Sequence, residues 1–333
     1  MKRSMFIGLL VMAFAITPCF AADNDFTIGI WGMRSYMLNP NNPGDWANMR
    51  ANAINLGAND IEACLVPYDT LWLNKICDDS LKNTMHTEPF GVTPLWALLQ
   101  GSWKDILPLD WQAQVRQRLD AVAQQFSPRA GWGGLRMGHE SYSSWTVANW
   151  YNIMEVVDYA CLYWRSLDMP DNKKDKLFYI MPVETFGPGC AITMDEFVSH
   201  MPNLGIMLHD RYPFTPELPD TYSLNSDSFL LFQKRMDNVV YLNDQCYEHY
   251  ESPSKKSANV QTKWYAILQG LYMRKMDNTP ALRWPTREEV RLQAWLALSR
   301  GAKGIKYFTS ITGDDGQFRF WGILDENDKP RSI

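Results

Sequence analysis

The chain has 333 residues, 46% hydrophobic and 21% charged, which is ordinary globular composition with enough material for a large core. That length suits one α/β barrel or two smaller domains. A formal charge of −5 argues against nucleic acid and anionic membrane surfaces as partners.

The N-terminus reads as a targeting segment. Met1-Lys2-Arg3 is a basic start, Met5 to Ile16 an apolar run, and Cys19-Phe20-Ala21-Ala22 a small-residue cleavage site. The apolar run is shorter than the roughly 20 residues that span a bilayer, so residues 1–22 are expected to be a removable signal peptide. No later stretch is long and apolar enough to span. The expectation is an exported protein, periplasmic or extracellular, with residues 23–333 forming a single domain.

Taking the elements in order, Phe26 to Trp31 is a first strand, followed by a helix from about Asp45 to Leu56. Asp60 to Leu65 is a second strand, and Leu71 to Leu81 a helical stretch. Val92 to Leu98 reads as a third strand, although Pro94 is awkward inside a central strand. Asp110 is placed to cap a helix over Trp111 to Phe126, with Val115, Leu119, Val122 and Phe126 on one face.

The fourth unit is the clearest. A glycine-rich strand, Gly131 to Gly138, runs into His139-Glu140-Ser141-Tyr142. The helix after it, Ser144 to Ser166, has Val147, Trp150, Met154, Val157, Cys161 and Trp164 at helical spacing. Leu177 to Val183 is a fifth strand ending at Glu184, and Met194 to His200 a short helix. Leu204 to Leu208 is a sixth strand ending at His209-Asp210-Arg211-Tyr212-Pro213, before a helix from Asp227 to Tyr250.

Trp264 to Leu268 is a seventh strand that stops at Gln269-Gly270. Thr286 with Glu289 three residues on forms a capping box after Pro285, and the helix it opens ends at Gly301. Lys303 to Phe308 is an eighth strand. Strict alternation of buried strands and helices implies parallel pairing and a (β/α)8 TIM barrel. No GxGxxG follows the first strand, which weakens a dinucleotide-binding reading. The last 25 or so residues hold a hairpin-like loop and no eighth helix. Either the barrel is open there or the chain is truncated, and truncation is the expectation.

Parallel strands bring their carboxyl ends to one mouth. Glu140, Glu184 and Asp210 follow strands four, five and six, and Gln269 follows strand seven. Trp31, Arg34, Tyr36, Trp96, Trp103, Arg136, His139, Tyr142, His209, Tyr212 and Tyr307 are candidates to line the same opening. Carboxylates in an aromatic cleft suit glycosidic bond cleavage, where one acid donates a proton and another attacks or activates water. The aromatic share of 13%, with 14 tryptophans, fits either sugar-stacking platforms or a Trp-rich core. A carbohydrate is therefore the expected partner. Cys64, Cys77, Cys161, Cys190 and Cys246 show no zinc-type spacing, and both a Cys64–Cys77 bridge in an oxidising compartment and buried free thiols fit them. No cofactor is expected.

The chain resembles the barrel domain of bacterial retaining glycoside hydrolases of the superfamily that includes β-galactosidases and cellulases. The resemblance rests on Asp210-Arg211-Tyr212-Pro213-Phe214, Gln269-Gly270, Pro285 to Ala294, Gly301 to Ile305, and Gly322-Ile323-Leu324-Asp325 with Lys329-Pro330-Arg331. It implies an acid/base glutamate after strand four, which Glu140 matches, although His139 stands where Asn is usual. It implies a nucleophilic glutamate after strand seven, where this chain has Gln269, and an amide cannot serve. Glu184 or Asp210 is then the second carboxylate, or the protein binds sugar without cleaving it. A third reading sets Glu140, Glu184, His209 and Asp210 around a divalent ion, but the first strand has no His-x-His.

Overall fold

A computed structural model describes residues 26–31, 50–63, 82–85, 95–138, 145–181, 190–219, 223, 226–252, 262–309, 313–314 and 318–323. The predicted signal segment, the expected helix Leu71–Leu81 and the Cys64–Cys77 pair lie outside them.

In chain order, β1 (Thr27–Trp31) is followed by α1 (residues 50–55), β2 (Asp60–Ala63) and β3 (Lys82–Met85). Three helices come next, α2 (Leu95–Gln100), α3 (Ser102–Asp105) and α4 (Trp111–Phe126), and then β4 (Trp132–Gly138). After α5 (Val147–Ser166) and α6 (Asp171–Lys174) come β5 (Leu177–Met181), α7 (Met194–His200) and β6 (Ile206–Asp210). The long α8 (Asp227–Cys246) ends in a π turn, Tyr247–Glu251, before β7 (Lys263–Gln269). A hairpin, β8 (Tyr272–Lys275) and β9 (Pro280–Leu282), precedes α9 (Arg287–Ser299), β10 (Gly304–Phe308), β11 (Gly313–Asp314) and β12 (Phe318–Trp321).

Eight strands pair in parallel in the order β1-β10-β7-β6-β5-β4-β3-β2, and β1 also pairs with β2, so the order closes on itself. Parallel neighbours cannot be joined by tight turns, and the described helices occupy the crossovers. Strands covered on both faces need continuous apolar runs, which β6 and β7 show.

The helices follow from local chemistry. Thr146 caps α5 and Asn149 returns the bond to its backbone, a reciprocal pair that satisfies two orphan amides. Trp150, Ile153, Met154, Val157, Cys161 and Trp164 are all buried on one stripe of α5. That stripe joins Val115, Leu119, Val122 and Phe126 of α4 in the main core, between the helices and the outer face of the strands. The Thr286–Glu289 capping box opens α9 as the sequence predicts.

Two expectations fail. The third strand lies at Lys82–Met85, while Leu95–Leu98 of the expected strand belong to the helix Leu95–Gln100. Pro94 fits that outcome, because proline is tolerated at the start of a helix and removes a ladder donor from a central strand. Asp110 precedes α4 but makes no side-chain cap. Its backbone (φ −103°, ψ 17°) is not extended as a capping residue's is, and its Oδ1 accepts from Gln114 Nε2 at 3.0 Å instead.

A second sheet was not foreseen. β11, β12, β8 and β9 form a four-stranded antiparallel sheet in that order. Its strands follow the carboxyl ends of β7 and β10, so it stands at the mouth side of the ring. Among the described residues, no helix is long and apolar enough to cross a membrane.

Candidate functional site at the carboxyl ends of the strands

Successive residues of a strand point to opposite faces, so the faces of the ring can be sorted by parity. Ile206 and Leu208 of β6 cluster with Tyr265 and Ile267 of β7, with Phe308 and Tyr212 packed against them. This small cluster lies inside the ring. Met207, Trp264, Ala266 and Leu268 belong to the outer core.

Asp210 continues the inner parity of β6 and is fully buried at its carboxyl end. The phenol of Tyr212 donates to Asp210 Oδ2 at 3.2 Å. The Tyr212 ring stacks on Phe308, centroids 5.4 Å apart, and Phe308 meets Phe320 of the mouth sheet at 6.2 Å. A carboxylate, a phenol and an aromatic wall therefore converge where β6, β10 and β12 meet.

The segment that presents Tyr212 is clamped. The backbone N–H of Phe214 donates to Gln269 Oε1 at 2.9 Å. Gln269 Nε2 donates to the carbonyls of Phe214 (3.2 Å) and Arg283 (2.9 Å). The Gln269 backbone N–H in turn donates to Gln293 Oε1 at 3.0 Å. The guanidinium of Arg283 lies 5.3 Å from the centroid of the Phe214 ring and donates to both oxygens of Glu289, at 2.9 and 2.6 Å. Glu289, read in the sequence as half of a capping box, thus also anchors the segment that follows β6.

Gln269 has a buried side chain whose amide is engaged with backbone. The position where the resemblance implies a nucleophile is occupied by a structural bracket. His209 and Tyr307 also differ from the sequence expectation that they line the mouth. His209 is adjacent to inward-facing Asp210, so it points outward and stacks on Trp264 with centroids 5.5 Å apart. Burial pushes its pKa down to about 4, opposed weakly by the side chain of Asn243 of α8 nearby. Tyr307 lies between inward Lys306 and Phe308, and packs against the outer core. Trp103 is buried in the outer core as well.

Arg136 has inner parity, because Leu135 and Met137 on either side belong to the outer core, and it is buried. Trp31 and Trp96 are described in their backbone alone, and Trp31 pairs in register with Phe308 at the rim. Arg34, Tyr36, His139, Glu140, Tyr142 and Glu184 lie outside the described residues.

Deeper in the ring, Lys306 Nζ meets Asp60 Oδ2 at 2.9 Å, with both side chains almost fully buried. The pair passes over Gly29 of β1, where an added Cβ would lie 2.7 Å from Lys306 Cγ. Sequence reasoning missed this pair. Its signal was a lysine in the middle of an otherwise apolar strand. Among the described residues, no three His, Cys, Asp or Glu side chains come together in a group that could hold a metal ion.

No family model matches the chain, and no curated protein matches it. Solved structures do. A β-glucuronidase from Ruminococcus gnavus superposes with a TM-score of 0.57 at 9% identity, covering 92% of this chain and 48% of that one. A β-galactosidase from the psychrophilic Marinomonas ef1 gives a TM-score of 0.57 at 10% identity, over 92% and 57% of the two chains. This chain thus spans about half the length of the structures it resembles, and at this identity the superposition shows a shared fold alone.

Proposed function

We propose that this chain is an exported glycosidase-like hydrolase that cleaves a poly- or oligosaccharide by carboxylate acid/base chemistry. The observation that carries the reading is Asp210, a carboxylate at the carboxyl end of β6, oriented by Tyr212 beside the Phe308–Phe320 wall. The fold shared with a β-glucuronidase and a β-galactosidase supports the reaction class. In this reading Glu140 donates the proton to the leaving oxygen, and Asp210 or Glu184 attacks the anomeric carbon or activates water. Aromatic rings at the mouth take the C–H faces of the sugar, while Arg136 and Tyr212 hold polar groups.

A second reading is a barrel that binds carbohydrate without cleaving it, and Gln269 is the specific observation in its favour. Its amide is committed to holding Phe214 and Arg283, so strand seven supplies no attacking carboxylate.

Hydrolysis assays on a glycan panel decide between them, with Glu140→Gln and Asp210→Asn as the controls. Turnover lost in both variants with binding retained supports the hydrolase. Saturable glycan binding with no turnover in the native protein rejects it in favour of the binder. Carboxyl separations of roughly 5–5.5 Å imply retention and roughly 6.5–9.5 Å inversion.

A further inference from the structure

A trough of about 410 Å3 lies on the outer side of α5, between the start of α4 and the end of α7. Tyr151, Glu155, Asp158 and Leu162 recur every three or four residues and so share one stripe of α5. The stripe of Trp150, Met154, Val157 and Cys161 that packs into the core is a different one. The trough is thus turned away from the ring and its mouth. Tyr151 and Tyr159 stand about 12 Å apart along the helix axis. Trp111 of α4 meets Tyr159 edge to face with centroids 5.1 Å apart, and His200 of α7 meets Tyr151 in the same way at 4.6 Å. An aromatic pair therefore stands at each end.

The polar groups between the pairs both donate and accept. Glu155 is exposed and makes no hydrogen bond or ion pair with any described residue, so its carboxylate is open to a ligand. Asp158 is committed, since Oδ1 accepts from the Asn203 backbone N–H at 2.8 Å and Oδ2 from Asn203 Nδ2 at 2.9 Å. His200 Nδ1 lies 2.8 Å from the Glu196 carbonyl. A carbonyl only accepts, so Nδ1 carries the proton of the neutral ring and Nε2 offers a lone pair. The Tyr159 phenol oxygen accepts from Arg116 Nη1 at 3.1 Å, which leaves its own proton to donate. Gln112 adds an amide that can do both.

We propose that this trough is a second carbohydrate-binding site, separate from the mouth, and that its ligand is a neutral oligosaccharide. A hydroxyl donates and accepts at once, so it engages the lone pairs of Glu155 and His200 together with the protons of Tyr159 and Gln112. An ammonium ion uses the acceptors alone. A carboxylate or sulfate meets Glu155 and Asp158 in the middle of the trough, and Arg116, tied to Tyr159 at one end, offsets only part of that charge. The aromatic pairs offer surfaces to sugar C–H groups, and their separation suits a chain of sugars over a single ring. The inference stands whether the mouth cleaves sugar or only binds it.

Calorimetric titration of the full chain with cellohexaose, xylohexaose, maltohexaose and laminarihexaose tests the site. Asp210→Asn is the background, so that turnover at the mouth does not consume the probe, and the native chain replaces it if that variant does not fold. At least one hexasaccharide is expected to bind. Tyr151→Ala and Glu155→Gln, both at the surface, should each weaken that binding about tenfold. Glu155→Gln is nearly isosteric, so a loss there is not a loss of fold. Spermidine, a probe for an ammonium site, should not displace the sugar. The proposal is overturned if no hexasaccharide binds, or if both trough variants bind as tightly as the background, which places the sugar at the mouth. Displacement by spermidine overturns it too, and assigns the trough to a cation.

Discussion

The Tyr212 phenol donates its proton to Asp210 Oδ2 across 3.2 Å while its ring lies stacked on Phe308. One side chain thus orients the carboxylate and forms part of the aromatic wall beside it. Tyr212→Phe separates the two roles, since it keeps the stack and deletes the hydrogen bond. Turnover on a glycan that the native protein cleaves should fall about tenfold in Tyr212→Phe and at least about a hundredfold in Asp210→Asn. Native rates in both variants would remove Asp210 from the chemistry.

Gln269→Glu looks like a repair of the strand-seven position, and the structure predicts the opposite. Nε2 donates to the carbonyls of Phe214 and Arg283, and a carboxylate there would face those oxygens without a proton to share. The variant should lose about 3 kcal/mol of stability in urea unfolding and gain no hydrolytic activity. A stable variant with raised turnover would mean that this side chain can swing toward substrate.

His209 makes stability depend on pH. Burial lowers its pKa from 6.5 to about 4, so between those values the unfolded chain binds more protons than the folded one. Its contribution is complete above pH 6.5 and is lost as pH falls through the folded value near 4. The loss is on the order of 3 kcal/mol. Unfolding midpoints should drop across that window in the native chain and more shallowly in His209→Gln. Parallel pH profiles would show that this imidazole does not govern the effect.

Lys306→Met leaves the Asp60 carboxylate buried inside the ring without its ammonium partner. The cost should be about 3–5 kcal/mol. Lys306→Met combined with Asp60→Asn should recover part of it, since the stranded charge is gone. Urea unfolding of the single and double variants measures the difference, and additive losses would show that the pair is not coupled.

Much of the architecture was legible because it depends on local patterns. Every expected strand but the third overlaps an observed one, and the Thr286–Glu289 box opens its helix at the predicted residue. Those signals are short in range: an apolar run of strand length, or a hydroxyl three residues before a carboxylate. The third strand was lost because Lys82–Met85 has a single apolar residue at its end and looks like surface, while its place in the ring comes from pairing with β2 and β4.

The sequence alone determined that buried strands alternate with helices, and that Asp210 and Tyr212 stand at the end of one of them. Only the tertiary structure decided which side chains share a face. A strand covered on both sides has no polar face to reveal its parity, so nothing local distinguishes Asp210, turned inward, from His209, turned out toward Asn243. The same holds for Gln269, whose role is set by carbonyls 14 and 55 residues away in the chain. Long-range hydrogen bonds of that kind exist only once the ring has brought β6, β7 and α9 together.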